Sequence, residues 1–250
     1  MPEPSTGEAH FGARQNMTTS GFRAGAVGIV DALGFRGIWR KSKSGEVLAM
    51  LRAIKGSALS DAALLNQLIS QGITVRCVFF SDSLIVTAER SPEGLEVSDS
   101  ELVAHVGIIV QGVISRALSG PHRLVYRGCI AFGDIDSEHE FFVGPAIDEA
   151  AAWYERANAA VVWLLPSAGQ VIDSQFPSPE FFVWDVPIKG EGKLRAWVVD
   201  PYGRLDAEQL PGIPVGLRPS PAELRRRMLD YFDATRVDVM IKKEETARLL

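Results

Sequence analysis

Two short apolar runs, each leading to an acid, constrain this chain most. Residues 24–31 read AGAVGIVD, with two glycines and no polar side chain before the closing Asp31. A segment that short and that continuously apolar fits a central strand covered on both faces. Residues 73–80 (ITVRCVFF) and 84–89 (LIVTAE) are two further β-rich runs, with only Ser81-Asp82-Ser83 between them. That arrangement is a hairpin signature, and it puts Asp82 in the turn.

The remaining pattern alternates helices with strands. Residues 36–54 carry Ile38, Trp39, Val47, Leu48, Leu51 and Ile54 at roughly helical spacing, interrupted near residues 42–45, and Ser60-Asp61 can cap a second helical piece over 62–70. Ser98 or Asp99 can cap a long amphipathic helix over 101–118, ended by Gly120-Pro121. Strands follow at 124–132 and 138–143, with Gly133-Asp134 as a turn between them. Gly144-Pro145 opens a helix to about Arg156, with Pro145 where its missing N–H is harmless. Another strand spans 159–165. The order β-α-(α)-β-β-α-β-β-α-β predicts an α+β sandwich on a ferredoxin-like or palm-like βαββαβ core, its helices on one face of a mostly antiparallel sheet. A strand pair at 181–188 and 194–199, a Pro/Gly linker at 211–221, a helix over 222–234 bearing Arg225, Arg226 and Arg227, and a charged segment over 237–250 complete the chain. The expected division is a flexible leader (1–21), one compact domain (22–200) and a C-terminal extension or helical arm (201–250). Met17 is a possible alternative start.

Composition narrows the function classes. The 250 residues include 26 basic and 31 acidic ones, a net charge of −5. That is a poor balance for a nucleic-acid binder, which needs a basic face. Cys77 and Cys129 sit in apolar runs without CxxC spacing and read as reduced core thiols. His105, His122 and His139 lie in separate segments and His10 in the leader, which argues against a zinc enzyme. Neither G-x-S-x-G nor a P-loop occurs. No apolar stretch approaches a membrane span and the N-terminus has no signal-peptide core, so no membrane partner and a cytoplasmic location are expected.

In a palm-like sheet the first strand pairs beside the hairpin, so Asp31 and Asp82 become neighbours. Two carboxylates so placed can hold divalent metal ions, and paired Mg²⁺ ions can activate an attacking oxygen and neutralise a triphosphate. The plainer reading makes Asp31 a helix cap and Asp82 a turn residue. Asp31-Ala32-Leu33-Gly34-Phe35 adds a glycine and backbone N–H groups after the strand, a cradle for phosphate oxygens or a plain strand-to-helix turn.

These segments resemble the class III nucleotidyl cyclase (adenylate/guanylate cyclase) catalytic domain over about residues 24–168. VGIVDALGF resembles its first metal-binding strand and phosphate loop, and VRCVFFSDSLIVTAE its hairpin, where Ser81-Asp82 replaces the common Gly-Asp. YRGCIAFGDI resembles its R-x-G-I-x-x-G strand through Arg127, Ile130 and Gly133. FVGPAIDEAAAWYERA resembles the strand-to-helix segment that begins G-x-x-V-N. The resemblance implies metal-dependent conversion of a nucleoside triphosphate to its 3′,5′-cyclic monophosphate plus pyrophosphate. It implies two Mg²⁺ or Mn²⁺ ions at Asp31, Ala32 and Asp82, substrate contacts from Ala32, Leu33, Gly34, Phe35 and Arg127, and active sites at a head-to-tail homodimer interface.

Three positions depart from the family pattern. Its purine-selecting Lys is Val78 here, its transition-state Asn is Asp148, and the Arg four residues later is Ala152. Arg156, two turns beyond Asp148, can point the same way along a helix or simply face solvent; Arg127 and Arg36 are other candidate cations. The departures resemble the stand-alone anti-phage pyrimidine cyclases of Pycsar systems, which make cyclic UMP or cyclic CMP to activate an effector. A purine cyclase of the same fold and a catalytically silent nucleotide-binding module remain alternatives. A pyrimidine pocket needs bulk, for which Phe35, Trp39, Phe80 and Tyr126 are available, though each also suits a core. The arginine triplet reads as a solvated helix face, or as a site for a dimer partner or an anion.

Overall fold

The structure is a computed structural model that describes residues 21–40, 42–68, 72–91, 96–119, 123–139, 141–172, 180–200, 220–232 and 237–249. The leader, except Gly21, lies outside the described residues. So do Met17, His10, His122 and the linker up to residue 219. In chain order the elements are β1 (Arg23–Ala32), a 3-10 turn (Phe35–Arg40), α1 (Ser44–Leu68), β2 (Ile73–Phe80), β3 (Ser83–Arg90), α2 (Asp99–Ser119), β4 (Tyr126–Glu138), β5 (Phe141–Val143), α3 (Pro145–Trp153), β6 (Val162–Leu164), α4 (Pro166–Val171), β7 (Phe181–Ile188), β8 (Gly192–Val199), α5 (Pro221–Tyr231) and α6 (Val237–Leu249).

The strands form one sheet in the order β2-β3-β1-β4-β6-β8-β7, with β5 paired to the end of β4. β1 runs antiparallel to both β3 and β4, and β6 joins β4 in parallel. The first four strands, with α1 and α2 as crossovers, make the expected βαββαβ unit, and the whole is an α+β fold. β1 is apolar from Ala24 to Val30 because both of its faces are covered there. Ala26 and Val30 pack toward α1 and α2, while Val27 and Ile29 pack into the layer beneath α3. A Cβ at Gly28 would stand 2.8 Å from Val106, so this glycine lets α2 settle onto β1. At Gly128 a Cβ would meet the Ile29 carbonyl oxygen at 2.1 Å, which only a glycine avoids.

α2 is the central helix. It is long and apolar enough to cross a membrane by length and composition, but 67% of its most apolar window is buried inside the fold. Its apolarity therefore serves the core. Its start is a reciprocal capping box. The Glu101 amide donates to Ser98 Oγ (3.2 Å) and the Ser98 amide to Glu101 Oε2 (2.8 Å).

Several elements differ from the sequence expectation. α1 is one helix of 25 residues, not two pieces. Ser60 does not cap; its hydroxyl donates to the Gly56 carbonyl one turn back (2.8 Å). Asp61 turns inward and pairs with Arg116 of α2 at 3.3 Å. The apolar row Val47, Met50, Ile54, Ala58, Ala62 runs straight through. β4 continues past Gly133-Asp134, because Gly25, Ala24 and Arg23 of β1 pair with Gly133, Asp134 and Ile135 and hold it extended. α3 lies on the sheet face opposite α1 and α2, so the helices are not all on one side. It also ends at Trp153, short of Arg156. β8 joins the sheet at Trp163–Val198, inside the expected domain, and in the C-terminal extension Leu224, Met228 and Phe232 are buried in the α1–α2 core.

Candidate active site

Asp31 follows Val27 and Ile29 on the α3 side of β1 and is half-buried there, while Ala32 on the other side stays in the core. Its cross-strand partners there are Ser83 on β3 and Arg127 on β4. Ser83 is the first residue of β3, so the two-residue Ser81-Asp82 loop places Asp82 directly beside Asp31's neighbour. Ser83 Oγ donates to Asp31 Oδ1 at 3.1 Å, and Arg127 Nη2 lies 3.7 Å from Asp31 Oδ2. Burial and the negative charge of Asp82 push the Asp31 carboxyl above its ordinary value, against the pull of Ser83 and Arg127. Two crowded carboxylates with a surplus of negative charge suit a hard divalent cation.

Ala32 and Leu33 are buried behind Asp31, and the Leu33 amide is tied to the Val125 carbonyl at 2.7 Å. Gly34 is exposed, at φ +72°, in the turn that follows. Phe35 is buried and meets Trp39 edge-on at 5.8 Å. The segment from Ala32 to Phe35 therefore sits directly against the carboxylate pair. Arg127 is nearly buried and also reaches Glu155, 3.6 Å from its carboxylate and 3.1 Å from its carbonyl oxygen. Lys189 donates to that same carbonyl at 2.6 Å, and burial beside Arg127 lowers its pKa.

The remaining sequence candidates separate. Asp148 is exposed in the first turn of α3, near the Gly25–Gly133 end of the sheet, six residues and about 20 Å along β1 from Asp31. Arg156 lies beyond α3, so the helical alignment expected for it does not hold. Its guanidinium pairs with Glu191 and stacks over Trp153 at 5.5 Å. Within one chain neither residue joins Asp31. Of Arg36 only the backbone is described. Among the aromatic candidates, Phe35 and Tyr126 are core residues, whereas Phe80 (81% exposed) and Trp39 (55%) are open. Val78 is half-buried on edge strand β2. Arg226 pairs with Glu223 and Asp230 on the surface of α5, while Arg227 turns onto the end of α2, so the triplet is not one solvated face. Cys77 and Cys129 are free thiols, with burial pushing Cys77 up to about 12. Among the described residues no cluster of three or more His, Cys, Asp or Glu forms that could hold a metal ion.

Two residues that sequence reasoning does not reach also stand here. Glu155 supports Arg127. Tyr231, the last residue of α5, donates a hydrogen bond from its hydroxyl to the Leu33 carbonyl. Nothing in the sequence signals a contact 198 positions apart.

No protein-family model and no curated protein matches the sequence. Solved structures do match. The catalytic core of a rhodopsin-guanylyl cyclase with converted specificity, bound to ATPαS, is 16% identical, with a TM-score of 0.54 over 72% of this chain and 96% of that one. The guanylate cyclase domain of RhGC from Catenaria anguillulae, bound to GTP, gives 15%, 0.53, 71% and 96%. The monomeric guanylyl cyclase domain of RhoGC from Blastocladiella emersonii gives 13%, 0.54, 71% and 95%. These structural neighbours of the chain are guanylyl cyclase domains, and it shares their fold.

Proposed function

We propose that this chain is a metal-dependent nucleotidyl cyclase that works as a head-to-tail homodimer. The observation that carries the reading is the meeting of Asp31 and Asp82 beside the Leu33-Gly34 turn, inside a fold shared with cyclase domains. Asp31 and Asp82, with the Ala32 backbone, would hold two Mg²⁺ or Mn²⁺ ions. When bound, such ions supply activation of the ribose 3′-hydroxyl and neutralise the polyphosphate. The reaction forms a bond from the 3′-oxygen to the α-phosphorus and breaks the α–β bridge. Pyrophosphate leaves and the hydroxyl proton is lost. The chain's own part is positional. Ser83 and Arg127 orient the Asp31 carboxylate, and the backbone from Ala32 to Phe35 receives phosphate oxygens. Asp148 and Arg156 would serve the second copy's site rather than their own.

The base we propose is a pyrimidine, UTP ahead of CTP. Val78 offers no hydrogen bond to a purine edge where the family commonly has Lys, and the exposed rings of Phe80 and Trp39 can narrow a pocket. In this reading the product is a cytoplasmic anti-phage signal that activates a separate effector. The purine reading is favoured by the neighbours solved with GTP and ATPαS. The test is incubation with ATP, GTP, CTP and UTP, with Mn²⁺ or Mg²⁺, and identification of products by mass. A cyclic pyrimidine nucleotide is the expected product. A cyclic purine nucleotide would keep the reaction and overturn the base. No product from any of the four would favour a silent nucleotide-binding module.

A further inference from the structure

We propose that Tyr231 of the C-terminal helix α5 is a positioning residue for the triphosphate cradle, setting the direction of the Leu33–Gly34 peptide through its hydrogen bond to the Leu33 carbonyl. The proposal rests on reading that turn as a triphosphate site.

The geometry of a peptide gives the contact its consequence. The group is planar and trans, so its C=O and N–H point in opposite directions. A donor that grips the Leu33 oxygen therefore fixes where the Gly34 N–H aims. Gly34, at φ +72°, is the residue type least able to hold that plane by itself. The Leu33 amide is already anchored to the Val125 carbonyl (2.7 Å), so the Tyr231 bond secures the other end of the residue. A Cβ on Gly34 would lie 3.3 Å from the Tyr231 oxygen, so the hydroxyl sits directly against the turn.

The helix carrying Tyr231 is built to stay in place. Ser220 caps it, accepting from the Glu223 amide at 3.2 Å. Leu224, Met228 and Phe232 bury one face at four-residue spacing. Arg227 donates to the Ser119 carbonyl at 3.1 Å, and its Nε bonds Glu223 at 2.7 Å, which ties α5 to the last turn of α2. The Tyr231 ring stands edge-on to Phe232 at 6.0 Å. Burial and the nearby charge of Asp82 push its hydroxyl up to about 12, so it remains a donor across the working pH range. The C-terminal extension would thus belong to the active site rather than ornament the domain.

The test is Tyr231→Phe, which keeps the ring and removes the hydroxyl. Binding of inorganic tripolyphosphate with Mn²⁺, followed by calorimetry, reads the cradle without any reaction or base. The expected result is affinity lower by about tenfold, a KM for the preferred triphosphate raised by a similar factor, and a melting temperature lower by only about 2–4 °C. Arg227→Met, which loosens α5 but leaves Tyr231 in place, is expected to shift affinity the same way by about threefold. It carries the test if Tyr231→Phe folds poorly. Equal tripolyphosphate affinity in well-folded wild type and variants would overturn the proposal. Wild type that binds tripolyphosphate but makes no cyclic product would overturn the cyclase reading while the Tyr231 comparison still stands. Wild type that binds no tripolyphosphate would overturn both.

Discussion

Asp31 is held between Ser83 and Arg127 while Asp82 repels it from the adjacent turn. Because folding raises the Asp31 pKa, the folded chain holds that proton more tightly than the unfolded chain does. The residue therefore favours folding below its ordinary value of 3.8 and loses that contribution as pH rises through the raised value. Once ionised, the Asp31 carboxylate of the metal-free protein is one that its burial and Asp82 disfavour. Asp31→Asn should accordingly melt no lower than wild type without metal, and lose the rise in melting temperature that Mn²⁺ gives wild type. A marked destabilisation of the metal-free variant would contradict this balance of charges. Ser81 takes φ 57°, a left-handed conformation unfavourable to a side chain, in the tight loop between β2 and β3. Ser81→Gly should raise stability by up to about 1 kcal/mol, read as a higher urea midpoint at constant slope. The Asp31–Asp82 meeting was legible because a buried strand and a two-residue hairpin leave little choice of register. The contacts of Glu155 and Tyr231 were not, since they come from side chains brought together only by tertiary packing.

β2, β7 and α2 follow their sequence patterns closely, whereas β4 runs through the expected turn and β5 and β6 are only three residues each. Residues 73–80 and 181–188 are strands at the expected boundaries, and the Ser98–Glu101 box starts α2. Ser98→Ala should cost about 1 kcal/mol, seen as a lower urea midpoint. Acidification adds to the same point: backbone bonding from Ser98 lowers the Glu101 pKa, so its contribution is present above the ordinary value and fades as pH falls through the lowered one. Helix ends were harder to read. Ser60-Asp61 has the composition of a cap, yet its side chains satisfy themselves inside α1 and against Arg116, so no break forms. α3 stops early because Arg156 engages Glu191 and the Asn158 amide bonds the Pro187 carbonyl, interactions with the distant β7–β8 hairpin that no local periodicity encodes.

At the scale of the whole molecule, a single sheet with helices on both faces gathers one carboxylate pair, one glycine turn and one buried arginine at the end of its central strand. The α+β class and the βαββαβ order were legible from alternating patterns. The second helical face was not, because α3 is too short for its apolar side to say which layer it joins. The docking of α5 over the cradle likewise depends on the path of the chain. In the proposed reaction Asp31 and Asp82 together hold the metal ions that drive cyclisation. This role is tested most directly by mass-identified cyclic nucleotide formation in wild type, Asp31→Asn and Asp82→Asn, with Mn²⁺ and the four triphosphates. Wild type should form a cyclic product and each variant should lose at least about a thousandfold of it, with the fold retained. Undiminished product in both variants, or no cyclic product from well-folded wild type, would contradict it.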